Sequence, residues 1–156
     1  ILKSRKNNTM KKENTIINED GIVIDAENAI AGRLASYTAK QLLFGRKIDI
    51  INSEKAVIIG NERDIISKYL ILRRKGGSAI KGPFFPSRPE RLLKRIIRGM
   101  LPQKKGRGRE ALKRIKCHIG IPVELKNSKM IKSSRSIAPI KSITLEKLSR
   151  MMKYRE

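Results

Sequence analysis

Cys117 and His118 stand side by side in a chain that has one cysteine and one histidine, the two residue types a thiol nucleophile and its general base require. The flanking IKCHI run (115–119) reads as a strand. On a strand, neighbouring side chains point to opposite faces, so the two cannot share a hydrogen bond as a catalytic dyad. A single Cys and a single His also exclude a structural zinc site of the usual Cys/His type. GRGREA presents Gly106, Gly108 and Ala111 in the spacing G-x-G-x-x-A, which cradles a dinucleotide pyrophosphate only when a strand precedes it. Here LPQKK precedes it, and no strand is expected there. The carboxylates Asp25, Glu27, Asp49, Glu54 and Asp64 form no recognisable acid/base pair and read as caps or as partners for Arg33 or Lys55. The residues offer no active site and no cofactor site, and the chain reads as a non-enzyme without a small-molecule substrate.

The chemistry the chain does carry is cationic. In the stretch from Gly82 to Glu110, Leu92, Leu93, Ile96, Ile97 and Met100 recur at i, i+1, i+4, i+5 and i+8 and fall on one helix face. Arg88, Arg91, Lys94, Arg95 and Arg98 fall on the other. Pro89 suits the first helical position, and Pro102 cannot continue the helix past Met100 and Leu101. A solvated helix face mixes charge signs and gains i, i+4 pairs, whereas Glu90 is the only acid between Asp64 and Glu110. Charge of one sign at this density repels itself unless a polyanion neutralises it, which points to nucleic acid. GRGRE reads as a flexible backbone that brings Lys104, Lys105, Arg107 and Arg109 close to phosphates.

The whole composition agrees. The 156 residues hold 37 Lys and Arg against 14 Asp and Glu, a formal charge of +23, and residues 73–116 alone carry 16 basic and 2 acidic residues. The basic helix has no Trp or Phe on its apolar face, and the longest apolar runs, such as Ala56 to Ile59, are far too short to span a bilayer, so no membrane partner is expected. The N-terminus is Lys- and Asn-rich without the apolar core of a signal peptide. The lone cysteine suits a reducing cytoplasm. The chain begins at Ile1, which leaves open a fragment or a start at Met10.

These side chains need a scaffold, and the order of elements supplies one. Residues 1–20 read as a basic mobile arm, 21–122 as an α/β domain that binds nucleic acid, and 123–156 as a C-terminal arm with a short helix. Within the domain, Ile22 to Ile24 form a β-branched strand ending at Asp25, and AENAIAGRLASYTAKQLLFG reads as a helix burying Leu34, Ala35, Thr38, Ala39, Leu42 and Leu43, with Gly45 at its C-terminal cap. KIDIIN (47–52) and AVII (56–59) read as strands around a turn at Asn52 to Lys55. Asn61 with Asp64 reads as the start of a helix that buries Ile65, Ile66, Tyr69 and Leu70 and runs out in Arg73, Arg74 and Lys75. In the loop Gly76 to Arg88, the pair Phe84 and Phe85 is expected to pin the loop to the core rather than to stack on bases. Lys126 to Ser142 reads as an extended surface arm, and Leu145, Leu148, Met151 and Met152 mark a final helix with Thr144 as its N-cap. Alternating strands and helices predict an α/β fold with a mostly parallel sheet.

Four segments, IDAENAIAGRLAS (24–36), GPFFPSRP (82–89), RGMLP (98–102) and KKGRGREALKRIK (104–116), closely resemble the L-thirteen family of large-subunit ribosomal proteins in its archaeal or, more distantly, eukaryotic form. The resemblance covers roughly residues 22 to 122 in the same order, and it departs from the family pattern at Gln103 and Gly106. It implies a three-layer α/β/α domain with a small sheet, basic loops and terminal arms. It also implies a cytoplasmic, non-enzymatic constituent of the large ribosomal subunit that binds ribosomal RNA, neighbours other large-subunit proteins and supports subunit assembly and translation. Carried over by motif, it makes Lys81, Arg88, Arg91, Arg95, Arg98, Lys104, Lys105, Arg107 and Arg109 RNA contacts, and Gly99 and Met100 a tight helix end. Charge density adds Arg73, Arg74, Lys75, Lys94, Lys113 and Arg114. The rival reading is a DNA-binding architectural protein, which would bind duplex DNA as well as RNA; an RNA-modifying enzyme would need a cofactor loop that is not found.

Overall fold

Short runs of isoleucine build the centre of the molecule. In the computed structural model, which describes residues 21–75, 85–126, 128, 130–132 and 141–153, β1 (Ile22–Asp25) lies parallel to β2 (Ile48–Ile51), with Ile24 opposite Ile50. The expected N-terminal arm, Lys81 and Phe84 lie outside the described residues. Between the two strands runs α1 (Ala31–Leu43), which buries Leu34, Ala35, Thr38, Ala39 and Leu42; Gly45, at φ +90°, ends it in a conformation that costs glycine little. A turn of 3-10 helix (Ser53–Lys55) replaces the expected reverse turn and leads to β3 (Val57–Ile59), α2 (Glu62–Arg74), α3 (Pro89–Met100) and α4 (Gly106–Lys113). Then follow β4 (Ile115–Cys117), β5 (Met130–Lys132), β6 (Ser142–Thr144) and α5 (Leu145–Lys153).

The main sheet has the order β4-β2-β1-β5 and every pair in it is parallel. All four residues of β1 are buried, so both sheet faces are covered, as a parallel sheet between helical layers requires. The architecture is therefore the α/β/α sandwich with a small, mostly parallel sheet.

Several local expectations change. β3 does not join the main sheet; it pairs antiparallel with β6 in a separate two-stranded ribbon, with Ile58 opposite Ile143. The extended arm expected over Lys126 to Ser142 contains β5, which closes the sheet's far edge against β1. Asn61 makes no side-chain cap bond, so the capping box with Asp64 does not form; on α2 only Leu70 is buried, while Ile65, Ile66 and Tyr69 are half-buried. At α5 the helix and its cap form as expected, Thr144 Oγ1 accepting the Lys147 N–H at 3.3 Å, and Leu145, Leu148 and Met152 are fully buried, while Met151 is exposed.

Candidate nucleic-acid interface

The basic helix α3 begins where its proline allows. Pro89 occupies the first turn, and the Arg88 carbonyl accepts the Leu92 N–H at 2.9 Å. Leu92, Leu93 and Ile97 are 1% exposed or less and pack with α1 in the core, which fixes the helix's rotation. Ile96 is half-buried and Met100 is 43% exposed, so the apolar face ends one turn before the helix does. Gly99 lies inside the helix, and a Cβ there would meet nothing, so it is not the steric cause of the tight exit.

The exit is built instead by Gln103 and Gly108. The Gln103 side chain accepts from Arg98 Nε and donates to the Arg98 carbonyl, closing the C-terminus of α3. Pro102 then turns the chain, and its carbonyl accepts the Lys105 N–H at 3.1 Å. Contrary to the expected flexible loop, GRGREALK is helical, and it is Gly108 that brings α4 against this turn: a Cβ at 108 would lie 2.2 Å from the Pro102 oxygen. The G-x-G-x-x-A spacing thus serves helix packing, with no strand before it.

The candidate cations divide into two groups. Some are tied to backbone carbonyls of other elements: Lys94 Nζ donates to Ile115 at 3.0 Å, Arg114 Nη2 to Leu42 at 3.1 Å, and Arg73 Nη1 to Met152. Each fastens one element to another, and Arg114 and Arg73 place a cation at the C-terminal ends of α1 and α5, where the helix dipole favours it. Arg95 lies 4.3 Å above the Phe85 ring, and Phe85 in turn meets Tyr69 edge-on with ring centres 5.5 Å apart. Phe85 therefore packs on the core, the part of the expected Phe84–Phe85 contact that lies within the described residues, and burial raises the Tyr69 pKa. The second group, Arg91, Arg98, Lys104, Lys105, Arg107, Arg109 and Lys113, is exposed along α3, the turn and α4; Arg109 also donates to the Gln103 carbonyl at 3.4 Å. Arg74, Lys75 and Arg88 are exposed earlier in the chain, with Arg88 4.0 Å from Glu90.

Where α3 and α4 diverge, two adjoining depressions open. One, of about 420 Å³, is lined by Phe85, Pro86, Arg91, Lys94, Arg95, Arg98 and Leu112. The other, of about 460 Å³, is lined by Lys94, Arg98, Gln103, Gly108, Arg109, Leu112 and Lys113. Neither is lined by a carboxylate. In the sequence Gln103 stood out only as a departure from the family pattern, and Leu112 not at all, because neither is charged; the i, i+4 relation of Gly108 to Leu112 on a helix was the available signal, hidden by reading the glycines as loop.

Several other polar residues are held by structural partners. His118 Nε2 meets Asp49 Oδ1 at 3.0 Å, so the imidazole is paired away from Cys117. Burial pushes the Cys117 thiol up to about 12, outweighing the nearby Lys94 cation, which pulls it down. Asp25 Oδ1 accepts the Asn52 amide at 2.9 Å and the Glu27 N–H at 3.0 Å, while Glu54 accepts the Gly120 N–H and Glu27 pairs with Lys55. Among the described residues no cluster of His, Cys, Asp and Glu could hold a metal ion, and no helix is long and apolar enough to cross a membrane.

Fold and surface together define a class: a small α/β protein whose strongly cationic face is presented by the corner of α3, the turn and α4. The family model of Ribosomal protein L13 matches residues 19–124, and the chain belongs to that family, whose members are structural and non-enzymatic. It is 47% identical over 135 residues to the large ribosomal subunit protein uL13 of Methanosarcina barkeri, covering 83% of this chain and 96% of that one. Its identity to the uL13 proteins of Methanococcus maripaludis and Archaeoglobus fulgidus is 52% and 43%, over 65% and 88% of this chain and 76% and 83% of theirs. As a ribosomal protein it works in translation, in the cytoplasm.

Proposed function

We propose that this chain is a structural constituent of the large ribosomal subunit that grips ribosomal RNA with the α3–turn–α4 corner and supports assembly of the subunit alongside neighbouring ribosomal proteins. The observation that carries the reading is the division of the cations. Lys94, Arg114 and Arg73 stiffen the scaffold, while Arg91, Arg98, Lys104, Lys105, Arg107, Arg109 and Lys113 face outward from backbone held in place. Irregular RNA junctions offer dense phosphate, to which arginine forks bind in two-pronged fashion and lysines as point charges. Lys81, Arg74, Lys75 and Arg88 extend the proposed contact set.

Filter binding to a large-subunit ribosomal RNA fragment across a salt series tests this. With the seven corner cations engaged, the log–log slope should be about −5 to −6, from about 0.7 to 0.9 per phosphate neutralised. Equal affinity for a duplex DNA of the same length would favour the architectural-protein reading instead.

A further inference from the structure

The adjoining depressions at the α3/α4 corner are more than a charged surface. A phosphate needs no apolar floor, yet Leu112, half-buried, lies in both depressions, with Phe85 and Pro86 at one end. The charged groups on the rim are all cations, and they are set before any ligand arrives: Arg98 and Arg109 both hold on to Gln103, and Lys94 is fixed to the Ile115 carbonyl. A rim already ordered loses little entropy on binding. Each depression falls within the roughly 300–1,000 Å³ of small-ligand sites, room enough for one base.

We propose that this cleft takes one unstacked nucleobase from a single-stranded RNA segment, with its ring face against Leu112 and its phosphate against Arg98 and Arg109. The proposal rests on the RNA-binding reading above and names the part of the RNA that this corner receives. Splayed bases are commonly held between apolar or aromatic side chains and arginine planes, and the Arg95 guanidinium stacked on Phe85 provides such a plane on one wall. The cationic rim favours a nucleotide over a neutral apolar peptide.

The test is methyl NMR on the full chain, following the Leu112 methyl resonances during titration with hexaadenylate, with ribose 5-phosphate as a probe that lacks a base. The expected result is an upfield ring-current shift of Leu112 with hexaadenylate and none with ribose 5-phosphate. If hexaadenylate binds with the salt dependence described above but leaves Leu112 unmoved, the cleft proposal is wrong and the RNA-binding reading survives. A Leu112 response only to an acidic, leucine-containing peptide would assign the cleft to a protein and overturn the proposal. Absence of affinity for hexaadenylate and for the ribosomal RNA fragment alike would overturn both.

Discussion

Replacing Arg114 with Met should damage the scaffold and spare RNA binding, whereas Arg107→Met should do the reverse. Arg114 Nη2 bonds the Leu42 carbonyl at 3.1 Å, tying the end of α4 to the end of α1. A hydrogen bond to a charged group contributes about 1.5–3 kcal/mol. The Leu42 carbonyl also accepts the Gly45 N–H at 3.0 Å, so it is not orphaned by the substitution, and the lower end of that range applies. Losing a cation at a helix C-terminus adds about 0.3–1 kcal/mol. The sum, about 2 kcal/mol, corresponds to a fall in Tm of about 4–8 °C for a chain of this size. Arg107 is exposed on the first turn of α4, so its replacement should change stability by no more than about 0.5 kcal/mol, yet reduce the RNA salt slope by about 0.7 to 0.9. Calorimetry paired with filter binding at a series of KCl concentrations reads both quantities. If Arg114→Met lowered the salt slope with Tm unchanged, or Arg107→Met melted early with the slope unchanged, the division of the cations would be refuted.

Two glycines should respond with opposite sign. Gly108→Ala forces a Cβ to within 2.2 Å of backbone at Pro102 and should destabilise by about 1–3 kcal/mol of overpacking, whereas Gly99→Ala meets nothing and should stabilise α3 by about 0.5–1 kcal/mol; thermal melts of the pair decide it. Cys117 should resist alkylation in the folded protein: a thiol raised from 9.0 to about 12 holds about a thousandfold less thiolate at pH 8, so iodoacetamide should label it readily only in denaturant. Equal labelling rates with and without denaturant would contradict that burial. Because the folded thiol keeps its proton longer than the unfolded one, its contribution to stability is complete below pH 9 and declines as pH rises toward 12.

What the sequence disclosed and what it concealed have physical reasons. α3 was legible because Pro89, the apolar spacing of Leu92, Leu93 and Ile97, and Pro102 all point to one helix with one orientation. β1 and α1 were legible for similar reasons. α4 was concealed because its first turn holds Gly106 and Gly108, poor helix formers by local propensity; the helix forms through packing at Ala111 and against the Pro102 turn, which no local pattern records. β5, only three residues long, owes its existence to pairing with β1, and the antiparallel pairing of β3 with β6 was not legible because pairing partners are set by topology. At the site, charge found the cations but not their division. Lys94 and Arg114 look like Arg107 in sequence, and only the carbonyls of Ile115 and Leu42 distinguish them.

The central claim, that this chain is held in the large ribosomal subunit by its cationic corner, is met most directly by sucrose-gradient fractionation of lysate from the source cell at about 0.5 M monovalent salt. The Debye length there is about 4 Å, so loosely adsorbed basic proteins are stripped away. The wild-type chain should sediment with the large subunit, and a variant with Arg91, Arg98 and Arg107 reversed to Glu, still folded by calorimetry, should sediment as free protein. A wild-type chain at the top of the gradient, or a reversed variant that stays with the subunit, would contradict it.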